Sequence, residues 1–177
     1  MTAERPAMDE VDRIVRAWQQ LQPDLNSTPL HVFSRISRIA WIQENLRRDV
    51  FAKVGLDGWE FDVLSALRRA GDPFQLTPRL LIQETLVTSG TMTTRLDKLQ
   101  ARGLVTRARA PEDGRSVVVQ LSAEGIRLAD EAISALMDAE QEFLDALPAG
   151  AQEQMGDALR SLLLALEAPA DAEDPSA

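Results

Sequence analysis

The feature that most constrains this chain is the order of elements between Thr77 and Leu121. Thr77-Pro78 offers a helix cap followed by the proline favoured in a first helical turn, and the helix it opens extends only from Pro78 to about Glu84. After the spacer Thr85 to Thr88, Ser89 is expected to cap a second helix. Met92, Leu96 and Leu99 form its buried stripe, and Gly103 ends it. Leu104 to Arg109 and Ser116 to Leu121 are β-rich runs around Ala110-Pro111-Glu112-Asp113-Gly114-Arg115, the pattern of a hairpin with a polar tip.

A short helix, a tight turn, a second helix and a hairpin, in that order, read as a winged helix-turn-helix. In such a unit the second helix lies in the major groove with its first residues toward base edges, while the first helix braces it from the backbone side. Ser89, Gly90, Thr91, Thr93, Thr94, Arg95 and Lys98 supply short hydroxyls, a glycine that permits close approach, and long cations on the face opposite the apolar stripe. Arg115, beside Asp113 at the hairpin tip, is placed to enter a minor groove. Arg107 and Arg109 are available for phosphates. With Thr77 at the start of the bracing helix, these residues apart from Arg107 form the expected DNA-binding set.

Helical periodicity accounts for most of the remaining chain. Val11, Ile14, Val15, Trp18 and Leu21 recur at three- and four-residue steps, and Pro23 closes that helix. Thr28-Pro29 opens a long helix over about 29–54, ending near Gly55. Asp57 or Gly58 opens a third, through Trp59, Phe61, Leu64 and Leu67, which stops at Gly71-Asp72-Pro73. Beyond the hairpin, Ser122-Ala123-Glu124 starts a helix carrying Ile126, Leu128, Ile133, Leu136, Met137 and Phe143. After Pro148-Ala149-Gly150 a last helix carries Met155, Leu159, Leu162, Leu163 and Leu166. The expected architecture is mainly α with a small β-hairpin wing. Residues 1–54 form N-terminal helices, 55–121 the winged unit, 122–167 C-terminal helices and 168–177 a disordered tail. Stripes outside the winged unit exceed what it can cover alone, so a homodimer through the N- and C-terminal helices is expected.

The chain has 177 residues and a formal net charge of −9, which at first sight opposes nucleic acid. The charge is unevenly spread. Residues 68–121 hold 9 basic and 5 acidic side chains, whereas residues 122–177 hold 2 basic and 13 acidic ones. Phosphate attraction is screened over roughly 8 Å at physiological salt, so a local positive surplus is compatible with a distant acidic segment. No cysteine is present and His31 is the single histidine, which excludes disulfides, thiolate chemistry and a histidine metal cluster. His31 is read as structural. No serine-histidine-acid set, metal motif or phosphate loop occurs, so no catalytic residue and no cofactor are expected. A hydrolase or transferase built on Glu60 and Asp62 is the outlying alternative. The first residues carry acids and no apolar core with a cleavage site, and no run approaches a membrane span, so the expected address is the cytoplasm.

The segments Leu76-Thr77-Pro78, Ser89 through Leu99, Arg102-Gly103-Leu104-Val105, and Asp113-Gly114-Arg115 with Val119, Leu121, Ser122 and Gly125 resemble the MarR family of transcription regulators, over about residues 30–167. The resemblance implies a triangular homodimer with interlocked terminal helices and two wings straddling a pseudo-palindromic operator. The helix carrying Trp18, which many members lack, together with Asp62, Arg95 and Arg107, is similar to the ligand-coordinating set of the urate-responsive subfamily. That similarity implies a small aromatic anion stacked on an indole and neutralised by arginines. An Asp62–arginine pair linking the dimer side to the recognition helix would be broken by the ligand. The chain departs from the pattern at Ala40, where the subfamily has an interface histidine, and at Thr94, where the family often has asparagine. The functional expectation is therefore a ligand-responsive repressor. The alternative is a winged-helix activator or architectural DNA-binding protein with no small-molecule ligand.

Overall fold

The computed structural model describes residues 8–109 and 117–168. In chain order the elements are α1 (Glu10–Leu21), α2 (Thr28–Lys53), α3 (Gly58–Arg69), β1 (Gln75–Leu76), α4 (Pro78–Thr85), α5 (Ser89–Ala101), β2 (Val105–Arg109), β3 (Val117–Leu121), α6 (Ala123–Leu144) and α7 (Ala151–Glu167). The fold is thus mainly helical with a small antiparallel sheet, as the sequence pattern requires. The hairpin tip, residues 110–116, and the tail beyond Ala168 lie outside the described residues. Among those that are described, no helix is long and apolar enough to cross a membrane.

Two compact units divide within α6, the first reaching Ala132 and the second starting at Ile133. The core of the first unit is built by Phe51 of α2, Val63, Leu64 and Leu67 of α3, Leu81 of α4, Met92, Leu96 and Leu99 of α5, and Val105 and Val119 of the hairpin, each 2% exposed or less. Phe51 stacks on Phe61 with ring centroids 4.3 Å apart and planes inclined by 21°. This packing fixes the entry of α3 against the end of α2.

The sheet has one strand more than the sequence pattern suggests. β2 and β3 pair antiparallel in the register Val105↔Leu121 through Arg109↔Val117, and the two-residue β1 adds to the other edge of β3 through Gln75↔Gln120 and Leu76↔Val119. Two residues are too short to leave a period-2 signature, which is why β1 reads as loop. Its attachment secures the segment that leads into α4. Leu121 N–H also donates to the Phe74 carbonyl at 3.1 Å, and Gln120 Nε2 to that of Pro73 at 2.9 Å.

Two caps fall one residue earlier than expected. Thr88, not Ser89, caps α5: its backbone is extended and its hydroxyl accepts the Thr91 N–H, leaving Ser89 as the first helical residue. Thr28 is already helical and Ser27 precedes it, with Asn26 Oδ1 accepting the Thr28 N–H at 3.1 Å. The Ser27 hydroxyl instead accepts from Gln19 Nε2 at 3.1 Å, tying the start of α2 to α1. Where two hydroxyl residues stand in tandem, composition alone does not say which one caps. Arg35 of α2 strengthens the α1–α2 contact by donating to Asp9 at 2.7 Å and Asp12 at 2.8 Å, and its Nη1 lies 3.2 Å from His31 Nδ1.

The wing is joined to α6 at one crowded point. Ser122 donates from both its N–H and its hydroxyl to the Leu104 carbonyl, at 3.0 and 3.1 Å, while its Oγ accepts the Gly125 N–H at 3.0 Å. A β-carbon at position 125 would collide with that same Leu104 carbonyl oxygen, so glycine is required there by close approach. Gly103, at φ +70°, completes the stop of α5 while Leu104 N–H returns to the Leu99 carbonyl at 3.0 Å.

Apolar stripes are only partly covered. In α1, Val11 and Val15 are buried, but Trp18 and Leu21 are 43% and 74% exposed. On α2, Trp41 is 69% exposed, with Ile39 and Ile42 also exposed. Taken by itself, the second unit leaves Leu159, Leu163, Leu164 and Leu166 of α7 open, and α7 buries no residue.

Candidate nucleic-acid interface

The interface is assembled around α5. Thr77 Oγ1 accepts the Leu80 N–H at 3.3 Å and so fixes the start of α4, with Pro78 following. The chain then turns at Leu86, which adopts φ +52°, before Thr88 caps α5. Met92, Leu96 and Leu99 anchor α5 in the core, leaving Ser89, Gly90, Thr91, Thr93, Thr94 and Lys98 exposed. The expected division into a packed face and a free face is present. Arg109 is exposed at the end of β2. Asp113 and Arg115, expected at the wing tip, lie outside the described residues.

A groove of about 480 Å³ opens on the free face, lined by Trp59, Gly90, Thr91, Thr94, Arg95 and Lys98. The Arg95 guanidinium carbon lies 5.6 Å from the Trp59 ring centroid and Lys98 Nζ lies 5.8 Å from it. The indole N–H donates to Asp57 Oδ2 at 3.2 Å, which fixes the ring's orientation. Among the described residues, no carboxylate pairs with Arg95 or Lys98. Two cations without a carboxylate partner among the described residues thus lie over one aromatic face, at the separation of cation–π contacts.

Trp59 is the participant that the sequence did not disclose. In the pattern it stands in the apolar stripe of α3 beside Phe61, where an indole signals core. The structure buries Phe61 and leaves Trp59 half-buried against α5.

Three ion pairs join the elements of the winged unit to one another and to α6. Arg107 of β2 donates to Asp97 of α5 at 2.6 Å, linking the hairpin to that helix. Arg102, just past α5, pairs with the buried Glu60 and donates to the Gly55 carbonyl at 2.8 Å. Glu60 also accepts the Asp57 N–H at 2.9 Å, so this carboxylate closes the start of α3 and holds the end of α5 together. Arg68 of α3 donates to both carboxylate oxygens of Asp130 in α6, at 2.7 and 3.1 Å, which holds the Asp130 carboxyl below its ordinary range and raises the Arg68 guanidinium.

The four residues expected at the ligand site stand on four elements, α1, α3, α5 and β2. Trp18 is on α1, Arg95 lies over Trp59 and Arg107 pairs with Asp97. Asp62 accepts from Arg47 of α2 at 2.9 Å, so its arginine partner comes from the long helix rather than the recognition helix. Arg47 also lies over the rings of Phe51 and Phe61, at 5.1 and 5.7 Å, which holds its guanidinium in place. Asp62 and Arg47 share a separate cleft of about 270 Å³ with Arg69, Glu84 and Leu86. Both acids of the outlying enzyme alternative are therefore engaged, Glu60 by Arg102 and Asp62 by Arg47. No cluster of three or more metal-ligating side chains occurs among the described residues.

A braced, core-anchored helix with a free polar and cationic face, followed by an antiparallel hairpin, defines a winged helix-turn-helix protein. A sequence profile of the MarR family matches residues 54–116. The HTH-type transcriptional regulator PecS of Dickeya dadantii (strain 3937) is 33% identical over 135 residues, spanning 76% of this chain and 81% of that protein. Among solved structures, a cysteine-to-serine mutant of MarR from E. coli complexed with operator DNA superposes with a TM-score of 0.66 at 25% identity, covering 79% of this chain and 99% of that one. CouR from Rhodococcus jostii RHA1, bound to p-coumaroyl-CoA, shares the fold with a TM-score of 0.61 at 24% identity, over 72% of this chain and 87% of its own. The chain belongs to the MarR family: it is a regulator of transcription, not an enzyme.

Proposed function

We propose that the chain is a ligand-responsive repressor that binds a pseudo-palindromic operator as a homodimer in the cytoplasm and is released by a small aromatic anion of the urate type. The observation that carries the DNA-binding part is the free face of α5. Arg95 and Lys98 lie over Trp59 without a described carboxylate partner, next to a hairpin held to the same helix by Arg107 and Asp97. In this reading Thr77 and Arg109 contact phosphates, Ser89, Gly90, Thr91, Thr93 and Thr94 face the bases, and Arg115 beside Asp113 enters the minor groove.

The dimer reading is supported within each unit separately. Leu21, Ile39 and Trp41 are exposed in the first, and α7 buries nothing in the second, so residues 1–54 and 122–167 supply apolar surface for a second copy. For the effector, the uncovered indole of Trp18 offers a stacking face and Arg107 a guanidinium that an incoming anion would take from Asp97. Loss of that pair would loosen the wing from the recognition helix, giving the ligand different affinities for the DNA-bound and free conformations.

The test titrates the full-length protein onto duplexes from the DNA upstream of its coding sequence at several salt concentrations. Urate, xanthine and other aromatic anions are then added to the complex. The proposal requires a dimeric footprint, affinity that falls steeply with salt, and release by at least one anion. Binding without release by any of them would leave the ligand-free activator or architectural role in its place. A monomer that ignores every fragment at low salt would end both readings.

A further inference from the structure

The threonines at the start of α5 carry hydroxyl groups already engaged within the protein. Thr94 Oγ1 donates to the Gly90 carbonyl at 3.2 Å and Thr93 Oγ1 to the Ser89 carbonyl at 3.1 Å. The Thr91 and Thr88 hydroxyls lie 2.9 Å apart, in hydrogen-bond contact. Thr91 and Thr94 are both exposed and line the groove beside Trp59, and of the two Thr94, about half a helical turn past the buried Met92, is the one whose hydroxyl donates to a main-chain carbonyl.

A hydroxyl has a single proton, and one committed to a main-chain carbonyl is not available to a base. β-Branching makes that commitment a rotamer choice that also fixes where the methyl group lies. What an exposed threonine in this state still offers is a methyl and an acceptor lone pair. Thymine is the base that presents a methyl group in the major groove, and threonine methyls are among its apolar partners.

We propose that Thr94 selects thymine in each half of the operator through methyl–methyl contact, with Arg95 and Lys98 leaving that discrimination to it. The inference rests on the DNA-binding reading above and deepens it by naming a specificity-determining residue and the base it prefers.

The test first selects preferred sequences from randomised duplexes with the full-length protein. Each thymine of a selected half-site is then replaced by deoxyuridine, which removes only the methyl. Affinity is read by fluorescence anisotropy. At one thymine position in each half-site, the replacement is expected to weaken wild-type binding about fourfold, the value of one buried methylene-sized group. Thr94→Ser, which keeps the hydroxyl and removes the methyl, should bring the thymine-to-deoxyuridine affinity ratio to one. Thr94→Val, which does the reverse, should preserve the ratio. Equal wild-type affinity for both duplexes at every position overturns the proposal, as does loss of the ratio in Thr94→Val. These outcomes leave sequence-selective DNA binding intact. If the selection enriches no sequence at all, the operator reading itself falls and takes this proposal with it.

Discussion

Asp97 on α5 accepts a hydrogen bond from Arg107 on β2 at 2.6 Å, a side-chain contact that ties this helix to the hairpin. Its two ends are unequally wet: the Asp97 side chain is 61% exposed and that of Arg107 29%. Water competes for the carboxylate, so the pair contributes little to global stability and remains easy to break. That combination suits the proposed ligand response, in which the joint holds in one state and opens in the other.

A double-mutant cycle between Asp97→Ala and Arg107→Ala is accordingly expected to give a coupling energy of about 1 kcal/mol or less in urea unfolding. Release of DNA by the effector should nevertheless be lost in Arg107→Ala. A coupling several times larger would identify the pair as structural rather than as a joint that opens.

The contact between Arg102 and Glu60 should behave in the opposite way. The Glu60 side chain is 4% exposed, and Arg102 is its only charged partner among the described residues. Arg102→Met would strand a buried carboxylate and should cost about 3 kcal/mol in urea denaturation. Glu60→Gln leaves a neutral group in the same place and should cost less than Arg102→Met. The reverse ranking would show that the buried charge is not what this contact neutralises.

Leu86 adopts φ +52° while 92% exposed, so it carries the strain of a left-handed conformation and has almost no packing to lose. Leu86→Gly removes the clash between β-carbon and backbone but also frees the unfolded chain, and these effects oppose each other. The expected net is a gain of up to about 1 kcal/mol, because the steric cost of a left-handed β-carbon is the larger quantity. A fall in the urea midpoint would show that the exposed side chain has a folded-state partner.

Acid stability should report the pair of Arg68 and Asp130. The guanidinium holds the folded carboxyl below its ordinary 3.8, so the unfolded chain takes up the proton first as pH falls. The stabilisation is therefore complete above pH 3.8 and is lost below it, as pH drops through the folded-state value. Both side chains are substantially exposed, so the effect is small. Asp130→Asn should flatten the acid limb of urea midpoints against pH and leave its slope near neutrality unchanged.

What could be read from the sequence follows the range of the interactions involved. Thr77-Pro78, Gly103 and the stripe Met92-Leu96-Leu99 act within a few residues, so helix order and the buried face of α5 were evident. The groove was less so. Trp59 meets α5 through a fold-dependent approach, and nothing in its own neighbourhood distinguishes it from Phe61. Glu60 and Arg102 are separated by 42 residues and Arg47 and Asp62 by 15, distances at which periodicity carries no information about partners. Thr88 and Ser89 differ in role only because one backbone is extended and the other helical. Gly125 was recognisable as part of a motif, but its necessity appears only once the Leu104 carbonyl is seen filling the space a β-carbon would need.

The anchoring of α5 by Glu60 and Arg102 lies at the end of that helix away from Thr91 and Thr94. In the proposed reading, mechanical support and base choice therefore fall to different stretches of one short element. The outward residues are free to diverge without loosening the frame, so a duplicated copy of this chain could acquire a new genomic address by surface exchange alone. An engineer seeking to retarget it would begin with the same few positions.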